Sequence, residues 1–127
     1  MSIAYHYSLY DGTSETAYKE VKGVLSVVGE ELLFEYKVYD MMGSAISTLN
    51  KFSILVDHIK RTHYKKGFFQ SKLIIEATRM GFMEPLPGSE QGVIRLDIKR
   101  ANRDEAVGFS SKINLALSER RLKELDD

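Results

Sequence analysis

The stretch Val93-Ile94-Arg95-Leu96-Asp97-Ile98-Lys99-Arg100-Ala101-Asn102-Arg103-Asp104-Glu105-Ala106 changes its period partway along. In its first half, Ile94, Leu96 and Ile98 share one face, and Arg95, Asp97 and Lys99 share the other. Successive strand side chains point to opposite sides, so this is a strand with one buried and one solvated face, the habit of antiparallel sheets. After Ala101 the rhythm lengthens. Ala106, Phe109, Ile113, Ala116 and Leu117 recur every three or four residues, leaving Arg103, Asp104, Ser111 and Asn114 outward. Asn102 and Glu105 have the spacing of a capping box, which satisfies the unpaired amides of a first helical turn. The switch predicts a strand followed by an amphipathic helix over about residues 103–122.

The two-residue repeat recurs upstream. Leu32, Phe34, Tyr36 and Val38 alternate with Glu35 and Lys37, and Phe52–Val56 and Lys72–Ala77 follow the same pattern. Gly29-Glu30 and Lys66-Gly67 read as hairpin turns. Six or seven strands between about residues 20 and 100, then one helix, predict an α+β, mainly β fold. A bent antiparallel sandwich or barrel, its open end plugged by the helix, would bury the inward faces and protect the strand edges. Tyr5, Tyr7 and Leu9 share a face at strand spacing, so residues 1–19 are expected to add an edge strand. At 127 residues the chain forms a single domain, 1–127, large enough for a real core.

Composition narrows the function. There are 18 basic and 18 acidic side chains, and zero net charge argues against a general nucleic-acid binder. Without cysteine the chain has no disulfide, no thiol nucleophile and no cysteine-type zinc site. The first lysine is Lys19, so no basic segment of the secretory type precedes an apolar run, and the charge-free Met41–Asn50 is too polar and short to span a bilayer. A cytoplasmic location is the expectation. Charge is nonetheless unevenly spread. Residues 1–50 hold three lysines against seven acids, whereas residues 51–79 hold seven basic groups against Asp57 and Glu76. The basic middle is the surface that should meet a partner.

From about Val21 to Leu117 the order of elements resembles bacterial pleckstrin-homology-like domains, most of all FSILVDHIKRTHYKKGFFQSKLIIEATRMGFMEPLPGSEQGVIRLDIKRANRDEAVGFSSKINLAL, Phe52 to Leu117. It runs strand, Asp-His-Ile turn, strand, Lys-Lys-Gly hairpin, strand, Pro-Gly loop, strand and capped helix. The resemblance implies a seven-stranded bent sandwich closed by a C-terminal helix, with Phe109 filling the place of the tryptophan usual in eukaryotic cap helices. Such domains bind lipids or peptides, or associate with themselves. The first hairpin, taken as Val27-Val28-Gly29-Glu30-Glu31, is acidic and would repel a phosphate, so the phosphoinositide function is not carried over.

Few residues invite chemistry. His58 and His63 are five apart, which suits neither a strand face nor a helical pair, and no third ligand sits at a metal-binding spacing. Asp57 and His58 are adjacent and cannot readily orient one another as parts of a triad beside Ser53. No catalytic, cofactor or metal site is assigned, and the protein is not expected to be an enzyme. The basic hairpin Lys60-Arg61-Thr62-His63-Tyr64-Lys65-Lys66-Gly67-Phe68-Phe69 is the most distinctive run. Either Lys60, Arg61, Lys65 and Lys66 hold an anionic surface, phosphate or acidic peptide, or they are a solvated strand face with Tyr64, Phe68 and Phe69 in the core; the second is the expectation. In the loop 80–92, Phe82, Met83 and Leu86 either form an adaptable apolar contact patch or close the barrel, and Met41–Ile46 in the loop 40–50 could accompany them. Together these predict a non-catalytic binding or assembly module. Its partner would be another protein or a second copy met through an edge strand or the tyrosine segment, and binding to anionic lipid or phosphate is the alternative.

Overall fold

The computed structural model describes residues 2–10 and 18–126. Seven antiparallel strands form one unclosed sheet that bends into a sandwich, and a C-terminal helix covers it, an α+β architecture dominated by β. The strands are β1 (Ser2–Tyr10), β2 (Tyr18–Val28), β3 (Glu31–Tyr39), β4 (Asn50–Leu55), β5 (Ile59–Lys65), β6 (Gln70–Ala77) and β7 (Val93–Lys99), followed by α1 (Arg103–Asp126). Their spatial order is β4-β3-β2-β1-β7-β6-β5. β1 pairs with β2 from Ser2 to Tyr10 but meets β7 only where His6 faces Asp97. The sheet folds there into a layer of β1–β4 and a layer of β5–β7. A single helical turn, Val56–His58, carries the chain from one layer to the other.

The alternation read from sequence is the alternation observed. Leu32, Phe34 and Tyr36 on β3, Leu73, Ile75 and Ala77 on β6, and Ile94, Leu96 and Ile98 on β7 are buried in one core with Ala106, Phe109, Ile113 and Leu117 of the helix. Phe109 is fully buried. The Gly29-Glu30 and Lys66-Gly67 turns fall between strands as expected. At the start of the helix, the Asn102 amide lies 3.4 Å from the Glu105 carboxylate, a contact of side chain with side chain in place of the reciprocal backbone bonds of a capping box.

The N-terminal segment corrects the sequence reading. β1 was expected at an edge, yet it is the central strand, paired on both sides, with Ile3, Tyr5 and Tyr7 in the core. Burial pushes the Tyr5 and Tyr7 hydroxyls well above the usual tyrosine range, so both stay neutral; the Tyr7 hydroxyl donates to the Pro87 carbonyl at 2.6 Å. Since β1 precedes β2, the acidic Gly29-Glu30 turn is the second hairpin. The connection of the first, residues 11–17, lies outside the described residues.

The real edges are β4 and β5. Helix α1 covers β5 with side chains that stand in for a missing strand. Asn114 accepts a hydrogen bond from the Thr62 amide and donates one to the Thr62 carbonyl, both at 2.9 Å. Thr62 and Ser110 hydroxyls meet at 2.8 Å, and Arg121 donates to the Lys60 carbonyl at 2.7 Å. Unpaired edge amides and carbonyls are thereby satisfied, which removes a template for aggregation.

Candidate functional site

Between β5 and β6 the chain must reverse within Lys66-Gly67-Phe68-Phe69. Gly67 allows it, because a Cβ there would come within 1.9 Å of the Gln70 carbonyl oxygen. Three further contacts fix the tip. Tyr64 donates its hydroxyl to Ser71 at 2.7 Å across the hairpin. Arg103, from the first turn of α1, donates to the Gly67 and Phe68 carbonyls at 2.5 and 3.2 Å. The tip is thus tied both to its own strands and to the helix.

This braced turn holds Phe68 and Phe69 in water, 82% and 84% exposed, with their rings edge to face at 4.7 Å between centroids. Of the three aromatic rings expected in the core, Tyr64 is half-buried and the two phenylalanines are not buried at all. The expectation fails because strand alternation ends at Lys65. Beyond it no element among the described residues covers either ring, whatever its hydrophobicity.

The basic run divides in two. Lys60 and Arg61 lie at the start of β5, where both bond to Glu76, at 3.7 and 2.7 Å. The hydrogen bond from Arg61 holds the Glu76 carboxyl below the usual carboxylate range. Lys65 and Lys66 lie at the tip, roughly 15 Å along the strand at ~3.3 Å per residue, and make no ion pair among the described residues. Lys65 also sits directly opposite Lys72 in the β5–β6 register. Like charges facing each other across a ladder are unfavourable; Asp97 relieves Lys72 at 2.6 Å, and Lys65 has no such neighbour among the described residues. The candidate site that emerges is therefore Lys65, Lys66, Phe68 and Phe69. Sequence reasoning named the two lysines but placed the two rings inside.

In the loop 80–92 the large apolar candidates Met83 and Leu86 are turned inward. Met83 is fully buried, so it belongs to the core and offers no contact to a partner; the same holds for Leu86, and the closing role read for this loop is the observed one. Phe82 is half-buried against His58, their rings stacked at 3.9 Å. His63 points from the opposite face of β5 to that of the buried Thr62, and lines an open groove of about 460 Å³ with Arg61, Glu76 and Arg95. Asp57 bonds to Arg120 of the helix and so ties the crossover turn to α1. The loop 40–50 folds on itself through Asp40, whose carboxylate accepts from the Met42 and Ser44 amides at 2.9 Å, and it leaves Met41 and Met42 exposed. No family model, curated protein or solved structure matches the chain.

Proposed function

We propose that this chain is a non-catalytic docking module of pleckstrin-homology-like architecture that binds an anionic bilayer surface through the tip of the β5–β6 hairpin. The observation that carries this reading is the pair Phe68 and Phe69, held out by a braced turn beside two lysines without acidic partners among the described residues. Two exposed phenylalanines oppose the hydrophobic effect, and a rigid fold that keeps them there needs a partner to cover them. The tip is convex. A protein partner would need a matching pocket, whereas a lipid interface closes around any protruding ring and accepts aromatics at headgroup depth.

The energetics fit a weak, reversible contact. Burying two rings contributes about 1.5–3 kcal/mol each, and each lysine near an anionic leaflet adds about 1 kcal/mol. Lost orientational freedom offsets a large part of this sum. Sedimentation with phosphatidylserine-containing vesicles tests the proposal. Binding should disappear with phosphatidylcholine alone, fall with added salt, and be lost in Phe68→Ala/Phe69→Ala and in Lys65→Glu/Lys66→Glu. Inorganic phosphate should weaken binding no more than sodium chloride of equal ionic strength, because neither replaces the contact of the rings with the bilayer. Vesicle binding indifferent to both double variants would refute the reading.

A further inference from the structure

Helix α1 has a second face. Gly108, Ser111, Leu115, Ser118, Leu122 and Leu125 recur at alternating spacings of three and four, the rhythm of a helix-pairing seam. All six are exposed, on the side of the helix opposite Ala106, Phe109, Ile113 and Leu117. The three leucines are 61%, 62% and 82% exposed. Nothing among the described residues explains the glycine. A Cβ at Gly108 would meet no atom within 4 Å beyond its own stretch of helix backbone, so the fold leaves room for alanine, which is the better residue inside a helix.

We infer that this seam pairs with the same seam of a second copy, antiparallel about a two-fold axis. The order of sizes along it is self-complementary. Run against itself, the helix sets Leu125 against Gly108, Leu122 against Ser111 and Leu115 against Ser118, a large side chain over a small one in every layer. A parallel pair in register would instead set leucine on leucine and leave gaps at the glycine and serines, so packing selects the antiparallel arrangement. Charge agrees with it. In this register exposed Lys112 flanks Glu119 of the partner subunit, and the symmetry repeats the pair. Asn114 and Arg121 remain on β5, so pairing uses only surface that the fold leaves over. The inference is independent of the bilayer reading, since the seam and the hairpin tip share no residue. A dimer would, however, carry two tips and strengthen docking through avidity.

Light scattering coupled to size exclusion on the full chain, across a concentration series, tests the pairing. The wild type should reach twice the chain mass, and Leu115→Asp should be a monomer with an unchanged circular dichroism spectrum. Lys112→Glu or Glu119→Lys alone should weaken dimerisation roughly tenfold, and the double reversal should restore it to within about threefold. Gly108→Leu should raise the melting temperature of the dilute monomer yet weaken the dimer, a combination that mere misfolding cannot give. A wild type that stays monomeric at hundreds of micromolar, a dimer unmoved by Leu115→Asp, or a double reversal as weak as its singles would overturn it. Loss of pairing would lower vesicle affinity only through lost avidity, and a monomer that still binds vesicles keeps the two readings distinguishable.

Discussion

The loop from Met80 to Gly92 and the turn from Lys66 to Phe69 each hold large apolar side chains among polar ones, yet they resolve in opposite directions. The first buries Met83 and Leu86 completely, while the second keeps Phe68 and Phe69 in water. The difference lies in the backbone and its position more than in hydrophobicity. The long loop satisfies its own polar groups: Ser89 donates to the Met83 carbonyl at 2.7 Å, and Glu90 and Val93 bond to each other's backbone. It can therefore lie across the open end of the sandwich and send side chains down. The short turn lies past the last rung of its ladder, and nothing among the described residues covers its rings. Apolar residues are buried where the fold offers a cavity to fill, and where it offers none they mark a surface.

Four variants sharpen the contrast. Met83→Ala should lose about 2–5 kcal/mol in urea unfolding, because it empties a filled core position, while the folded fraction keeps its vesicle binding. A loss under 1 kcal/mol would mean that the loop is a patch after all. Asn114→Ala should cost about 1–3 kcal/mol by orphaning the Thr62 amide and carbonyl, and hydrogen exchange should quicken at Thr62 ahead of the β1–β4 layer. Phe68→Ala/Phe69→Ala should leave stability within about 0.5 kcal/mol while abolishing vesicle binding, the mirror image of Met83→Ala.

Glu76→Gln should show a small effect, about 0.2–1 kcal/mol at pH 7 and none on vesicle binding, as befits exposed ion pairs. Its sign with pH is fixed by the bond from Arg61. The folded carboxyl titrates below its unfolded value, so its contribution is complete above the ordinary carboxylate range and fades as pH falls through the folded value. The gap between wild type and variant in thermal unfolding should therefore close on acidification. A gap that widened would contradict the ion pair.

Much of this fold could be read from the chain because one-sided burial writes its period directly into sequence. Val93–Lys99 and Leu32–Val38 were legible for that reason. The neighbours of a strand are not written that way, and β1 was misplaced because alternation reports faces and not partners. A signal was present all the same. Ser2–Tyr10 carries no Lys, Arg, Asp or Glu, while the two true edges carry Lys51 on β4 and Lys60, Arg61 and Lys65 on β5, charges that blunt self-pairing. The site was half legible: Lys65 and Lys66 stand out by charge, but the outward setting of Phe68 and Phe69 follows from where the ladder stops. Likewise, α1's inner stripe was visible as a helical period, whereas its outer seam became distinct only once the sheet had claimed the other face.

The chain contains no tryptophan, so Phe69→Trp places a single reporter at the tip. Its fluorescence should be that of an indole in water when the protein is free, and should shift to the blue only when phosphatidylserine vesicles are added. Blue emission from the free protein, or no shift with those vesicles, would contradict a tip held open for a bilayer.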